Sequence, residues 1–513
     1  MKVMKRIISL LALLTLILGL LSACSTTDRT AQELTFEQLH EPGRKIGVIV
    51  GTGDDQCVAA EFPDAELMYF NSYPSGYAAV AGSKADAFVF TKKQMELAIR
   101  NGLTGVEVLD QTVGESHQVV VGISPVSKYP DLENKLNQFI EEILADGTMD
   151  DMYQRWLVLH DYTMPEIAVP EKAATHLRVA TSGTEEPFTY YEGSSLYGLD
   201  IEMAQRFAAW LGAELELKVY DYSGCIAAAQ SGDADCIMAD LFYTPERAQV
   251  IHFSNTMFRL DRGIMIRKQQ DASAPFWAGI AESFEKTFIR EDRWQLFLSG
   301  ISTTLLITAM AILFGTALGF CVFLLCRKGN PAANLIARFF VWLIQGMPVV
   351  VLLMILYYII FGSVSISGTL VSIIGFTLVF GAAVFALIKG AVETVDRGQT
   401  EAAYTLGYTD RRAFFRIVLP QALPHFMPGY AAQITSLIKA TAVVGYVAVQ
   451  DLTKIGDIVR SRTYDAFFPL IAVAVFYFAL AAILNFLVRK IGTRFDPKQR
   501  KRKALLKGVK ADD

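Results

Sequence analysis

The chain is short of the residues that catalysis and cross-linking usually need. It has six cysteines and six histidines in 513 residues. So few cysteines do not build a disulfide framework. Cys24 closes an apolar leader, and Cys321 and Cys326 lie in or beside an apolar run. Cys57, Cys225 and Cys236 remain; Cys225 and Cys236 read as buried thiols or as a pair. No nucleophile–base or metal-ligand spacing stands out, so neither an enzyme nor a metal or other cofactor is expected. No Gly-x-x-x-x-Gly-Lys-Ser/Thr run is present, so a phosphate-binding loop of that kind is excluded. Charged residues make up 19%, too many for a purely membranous chain, while 52% hydrophobic residues and a mean hydropathy of +0.33 are too apolar for a purely soluble one. A chain part soluble and part membranous accounts for both, and its length exceeds one domain.

Charge is unevenly spread. The net charge is −5, yet Arg489, Lys490, Arg494, Lys498, Arg500, Lys501, Arg502, Lys503 and Lys507 crowd the end. A basic run after the last apolar segment marks a cytoplasmic, membrane-proximal tail, here residues 491–513. Nucleic acid is a poor competing partner. Residues 1–24 read as an export signal, with Lys2, Lys5 and Arg6 before the apolar run of residues 7–21. Leu21-Ser22-Ala23-Cys24 resembles a bacterial lipobox, which implies a lipid on Cys24; an uncleaved anchor is the alternative. Residues 25–43 form a polar tether.

Two α/β stretches follow. Lys45-Ile-Gly-Val-Ile-Val50 reads as a strand and Gly51-Thr52-Gly53 as a turn. Strands and helices then alternate through residues 44–160, the first lobe. A Pro-rich linker covers residues 161–176, and a second lobe covers residues 177–268. Thr244-Pro245-Glu246-Arg247 is expected to open a helix, with Thr at the N-cap and Pro at the first turn. Residues 269–296 connect to residues 297–490, where five apolar segments can span a bilayer: roughly 297–325, 336–361, 367–388, 429–450 and 467–488. This topology puts Lys454, Arg460 and Arg462 outside, a mild breach of the positive-inside rule.

Between the third and fourth segments lies Glu401-Ala402-Ala403-Tyr404-Thr405-Leu406-Gly407, then nine residues, then Ile417-Val418-Leu419-Pro420. Arg411, Arg412 and Arg416 place it on the cytoplasmic side. The small alanines permit close approach, and the glycine permits a left-handed turn. The pattern resembles the coupling loop of ABC importer permeases. The resemblance implies a helix, a turn at Gly407 and a second helix, with Glu401, Ala402, Ala403, Gly407, Ile417, Leu419 and Pro420 docking on a separate ATPase subunit, itself a dimer. Gln345-Gly346-Met347-Pro348, Tyr357-Tyr358 and Ser436-Leu-Ile-Lys439-Ala-Thr441 resemble the polar amino-acid permeases further. Lys439 is a candidate functional charge in the membrane, or a lysine reaching the inner interface. The family's Glu and Arg ahead of the coupling loop fall at Ala386 and Lys389. Five helices are few for a pore, so a permease homodimer in membrane lipid is implied.

The lobes are similar to the solute-binding proteins of the same importers, through Pro187-Phe188, Tyr197-Gly198-Leu199-Asp200, Gly232-Asp233-Ala234-Asp235, Thr244-Pro245-Glu246-Arg247 and Phe253-Ser254. The fold implied is a two-lobed α/β domain of the type II periplasmic-binding kind, followed by an all-α permease domain. The family order of the lobes is reversed, which implies a circular permutation, or two halves left from a tandem pair. The resemblance gives Arg247, after Thr244, the ligand carboxylate, helped by backbone donors of Gly51, Thr52 and Gly53, with Phe188 nearby. Elsewhere the pattern breaks. The family's ammonium-binding Asp falls at Thr91, its covering aromatic at Glu185 and another Asp at Ser182, while two small positions are Asp240 and Phe242. Asp240 or Glu185 is then the candidate to replace the lost charge, or the ligand is not a plain α-amino acid. The expected function is the substrate-binding and permease subunit of an ATP-driven importer in a bacterial cytoplasmic membrane, lobes outside. Its cargo is a small solute, an amino acid or related carboxylate. The alternatives weighed are a ligand-gated channel and a membrane sensor.

Overall fold

The computed structural model describes residues 34–193, 195–268, 276–362, 364, 366–465 and 467–495. The leader with Cys24 and most of the basic tail lie outside these residues.

Apolar-rich runs make most of the strands, and some of them are wholly or almost wholly buried. β1 (Lys45–Ile49), β2 (Glu66–Phe70), β3 (Ala87–Thr91) and β4 (Val106–Thr112) alternate with helices α1 (Asp54–Glu61), α2 (Tyr73–Ala81) and α3 (Lys92–Arg100). β3 is buried at all five residues, as a strand covered on both faces requires. β5 (His117–Val119) and β6 (Gly122–Ile123) lead to α4 (Leu132–Ala145) and α5 (Thr148–Tyr153). Then come β7 (His176–Thr181), a small sheet of β8 (Thr184–Glu185), β9 (Thr189–Glu192) and β10 (Ser195–Tyr197), α6 (Leu199–Leu211), β11 (Glu214–Val219) and α7 (Tyr222–Ser231). β12 (Cys236–Ile237), β13 (His252–Phe253), β14 (Phe258–Leu260) and β15 (Arg262–Arg267) complete this part.

The two main sheets have the same plan. One runs β2-β1-β3-β15-β4 and the other β11-β7-β12-β6-β13. In each, one strand comes from the other stretch of chain and lies antiparallel to its neighbours: β15 against β3 and β4, and β6 against β12 and β13. β5 and β14 pair at the crossing. α4 and α5 also go with the second sheet. Phe139 packs on Phe207, and Trp156 donates to Glu202 at 2.7 Å. The lobes are therefore not the contiguous stretches 44–160 and 177–268. Residues 120–160 join the second lobe, and β15 returns to the first. Strand pairing is non-local, and a two-residue strand such as β6 carries no periodic signal. Cys225 and Cys236 are buried free thiols.

The membrane half follows α8 (Phe276–Phe284). It comprises α9 (Trp294–Arg327), α10 (Pro331–Gln345), α11 (Val349–Met354, continued by a wider turn over Ile355–Ile360) and α12 (Gly368–Glu393). α13 (Arg397–Thr405), α14 (Asp410–Ala413), α15 (Leu419–Ala440), α16 (Leu452–Thr463) and α17 (Phe468–Phe495) complete it. Among the described residues three helices are long and apolar enough to cross a membrane, or five if each of two bent pairs is one span. The second expected segment is such a pair: α10 and α11 meet at 106°, because Pro348 cannot continue α10. α9 and α12 pack tightly through small residues. A Cβ on Gly319 would stand 2.6 Å from the Gly381 carbonyl oxygen, the close approach by which membrane helices associate.

Candidate functional site

Two sites lie at opposite ends. The first is the cleft between the lobes. Its deepest part is a cavity of about 20 Å³ walled by Thr52, Tyr73, Phe90, Glu185, Tyr222 and Asp240. That is room for little more than one water, so an amino-acid-sized solute enters only when the lobes part.

Asp240 is buried in a left-handed conformation (φ 53°). Its N–H donates to Asp200 Oδ2 at 2.6 Å, and its Oδ2 accepts from Gln94 Nε2 at 2.9 Å. Glu185 is 8% exposed and accepts from the Thr184 hydroxyl at 3.1 Å. Arg247 lies at the cleft edge, its Nη1 donating to the Phe242 carbonyl at 3.2 Å and to the Tyr222 hydroxyl at 3.4 Å. It faces the turn of the other lobe, since a Cβ on Gly51 would stand 3.6 Å from Arg247 Nη2, and one on Gly53 would stand 3.4 Å from the Thr244 methyl. Gly51 and Gly53 are left-handed, at φ 78° and 79°. Thr244 accepts from the Arg247 N–H at 3.3 Å.

Thr52, Glu185 and Asp240 thus converge, with Arg247, Thr244, Gly51 and Gly53 beside them. Other expected residues do not. Phe188 is a core side chain stacked near Phe258, because the turn between β8 and β9 that carries it aims its ring inward. Phe242 stacks on His117 at 4.0 Å. Ser182 is buried and accepts from the Thr184 N–H. Thr91 is buried at the start of α3. The expected helix after Thr244 is one 3-10 turn, Arg247–Gln249. Tyr73, Phe90, Gln94 and Tyr222 escape a linear reading. No local signal marks any of the four.

Burial governs the acids. It pushes Glu185 up to about 7 from 4.5, Asp200 up to about 7 from 3.8, and Asp240 well above its ordinary range. The folded chain therefore holds protons that the unfolded chain releases between about pH 4 and 7. Stability is gained as pH falls through that window and lost as it rises. The thermal midpoint of the ligand-free chain is expected to drop between pH 5.5 and 8, and Asp200→Asn, which keeps an acceptor for the Asp240 N–H, to flatten the slope in scanning calorimetry. An unchanged slope in that variant would show that Asp200 is already ionised.

The cleft opens onto a vestibule of about 570 Å³. Asn71, Ser72, Glu185, Asp221 and Tyr222 line its lobe side, and Ala442, Tyr446, Lys454, Asp457, Arg460 and Ser461 its membrane side. α16 accounts for the awkward basic residues. Lys454, 5% exposed, donates to Asp221 Oδ1 at 2.9 Å and to the Tyr220 carbonyl at 3.0 Å. Arg462 pairs with Glu186 at 2.7 Å and Glu291 at 3.0 Å, and Arg460 with Asp457 at 3.1 Å. Tyr357 donates to Asp233 at 2.8 Å.

The second site is the loop between α12 and α15. α13 ends at Thr405, Gly407 turns at φ 77°, and α14 begins after Thr409. Glu401, Ala402 and Pro420 are exposed, Ile417 and Leu419 half-buried, and Ala403 buried. Leu406 is 77% exposed, an apolar side chain with nothing over it. Arg327 holds Asp410 and lies 4.1 Å over the Phe414 ring, fixing the loop to the end of α9.

Residues 311–500 match the family described as binding-protein-dependent transport system inner membrane component. A putative glutamine transport system permease protein of Rickettsia bellii is 32% identical over 196 residues, which span 38% of this chain and 90% of that one. The L-cystine transport system permease protein TcyL of Bacillus subtilis is 29% identical over 210 residues, 39% of this chain and 87% of that one. A crystal structure of an amino acid ABC transporter with histidines covers 43% of this chain and 99% of its own, at 26% identity and a TM-score of 0.38. The chain belongs to this family of transport-system inner membrane components. Its relatives are transport permeases, not enzymes, and here the permease half is joined to a two-lobed α/β domain.

Proposed function

We propose that the chain is the combined solute-binding and permease subunit of an ATP-driven importer for amino acids or related small carboxylates. The observation that carries this is the continuity of the cleft with a vestibule floored by α16, while the loop from Glu401 to Pro420 stands exposed at the other end. Solute caught between the lobes faces the membrane helices directly. Ligand favours the closed lobes, and an ABC ATPase dimer acts through the exposed loop. Two permease relatives named for glutamine and cystine support an amino-acid cargo. The family match sets aside the ligand-gated channel.

The lobes form one complete binder, circularly permuted. Both sheets repeat one strand order with one strand exchanged, and neither sheet is complete without the other stretch. The permease half works as a homodimer. Gln421, His425, Ser436 and Lys439 are exposed along one face of α15, and such a polar face is costly against lipid. Cys24 carries the lipid anchor, the lobes lie outside and the basic tail lies in the cytoplasm. The test is reconstitution in lipid nanodiscs with the ABC ATPase encoded beside it. A panel of amino acids and small carboxylates is expected to contain one class that raises ATP hydrolysis. Equal hydrolysis across the panel, with a folded chain, refutes the importer reading.

A further inference from the structure

The cleft holds more negative charge than its own residues answer. Glu185 and Asp240 wall the same cavity, and neither forms an ion pair among the described residues. Their side-chain partners among the described residues are neutral: the Thr184 hydroxyl for Glu185, and the Gln94 amide for Asp240. The polar atoms around them also lack partners. Asp240 Oδ1, Gln94 Oε1 and the Tyr77 hydroxyl are buried without a hydrogen bond among the described residues. Gln94 Oε1 only accepts, Asp240 Oδ1 only accepts once its carboxyl is ionised, and the Tyr77 hydroxyl accepts as well as donates. Lys454 is occupied by Asp221 and the Tyr220 carbonyl, whereas Arg247 commits only Nη1, to the Phe242 carbonyl and the Tyr222 hydroxyl, and turns Nη2 toward Gly51. Tyr73, Phe90 and Tyr222 supply aromatic walls, which suit a cation or its alkyl stem.

Burying carboxylates without a cation is expensive, and here the cost shows as raised affinity for protons at Glu185 and Asp240. A ligand that brings its own positive charge removes that cost. The charge balance separates the possible ligands. The site offers two carboxylates and one guanidinium. A zwitterionic neutral amino acid leaves one negative charge unanswered, and an acidic one leaves two. An amino acid with a second cationic group, carrying two positive charges and one negative, balances all three.

We infer that the cleft takes a dibasic amino acid, its cationic groups between Glu185 and Asp240 and its carboxylate against Arg247. This rests on the importer reading and names the cargo of the same site. Gln94 is a positioning residue: its amide nitrogen turns Asp240 so that the free oxygen stays available, and its own carbonyl oxygen adds an acceptor.

The experiment is calorimetry on the full chain in nanodiscs with L-lysine, L-ornithine and L-arginine as dibasic probes, L-glutamine as the neutral probe and L-glutamate as the acidic one. A dibasic probe is expected to bind at least about 30-fold more tightly than glutamine. Asp240→Asn and Glu185→Gln, close in shape and less costly to bury, are expected to fold, as their thermal transitions will show, and to lose at least about 30-fold for that probe. Tighter binding of glutamine or glutamate overturns the inference and leaves the importer reading standing. So does dibasic affinity within about threefold of the parent in both variants. If the folded parent chain binds none of the five, the amino-acid reading fails and this inference with it.

Discussion

Gly407→Pro is expected to abolish ligand-stimulated ATP hydrolysis in the reconstituted complex while ligand affinity in the lobes stays as it was. Proline holds φ near −65°, and Gly407 sits at 77°. Its N–H donates to the Tyr404 carbonyl at 2.9 Å, a bond proline cannot make. The turn between α13 and α14 then cannot form, and Glu401 and Leu406 are no longer presented together. Two milder variants separate coupling from folding. Glu401→Ala changes an exposed side chain and is expected to lower stimulation at least about tenfold with no change in thermal midpoint, as for a charged group in an interface. Gly407→Ala meets no atom within 4 Å and suffers only the left-handed strain, about 1–2 kcal/mol, so it keeps most of the coupling. Normal stimulation in Glu401→Ala and Gly407→Pro together would mean that ATP hydrolysis reaches the pore by another route.

The second large effect belongs to Arg247. Arg247→Ala is expected to weaken ligand binding at least about 100-fold, the loss of a desolvated guanidinium–carboxylate pair. The side chain also braces the cleft through Tyr222 and the Phe242 carbonyl. Arg247→Lys distinguishes the two roles. It keeps the charge and loses the fork, so an intermediate affinity is expected. Calorimetry on the three forms decides: an Arg247→Ala chain with parental affinity shows that the carboxylate is held elsewhere, with Gly51 and Thr52 the next candidates.

The two sites differ in how much of them could be read in advance. The loop from Glu401 to Pro420 is contiguous. Its glycine, its alanines and its terminal proline act on their immediate neighbours, and helix, turn and helix fall where their spacing puts them. The bend at Gly346 to Pro348 falls inside what reads as one apolar segment, 336–361, because composition alone does not show where a span turns. The cleft is assembled from distant pieces. Gln94 meets Asp240 from 146 positions away, and Lys454 meets Asp221 from 233 away. Nothing local announces such partners, so Phe188 reads as a site residue although it is core, and Lys454, Arg460 and Arg462 read as an anomaly although each has its own acid. The lobes fail in the same way. β6 and β15 are assigned by pairing, not by position, and only the assembled sheets reveal the exchange.

The contacts of α16 have a consequence for kinetics. Lys454 and Arg462 hold the lobes on the membrane helices through Asp221 and Glu186, and both halves are one polypeptide. A separate receptor must find its permease by diffusion, so its abundance enters the rate law, and surplus ligand-free receptor competes for the same face. A fused receptor meets its permease at an effective concentration on the order of millimolar. On the proposed importer reading, uptake by such a chain saturates with the solute alone. Its half-saturation point follows the affinity of the cleft, and raising expression lifts the maximal rate without moving that point.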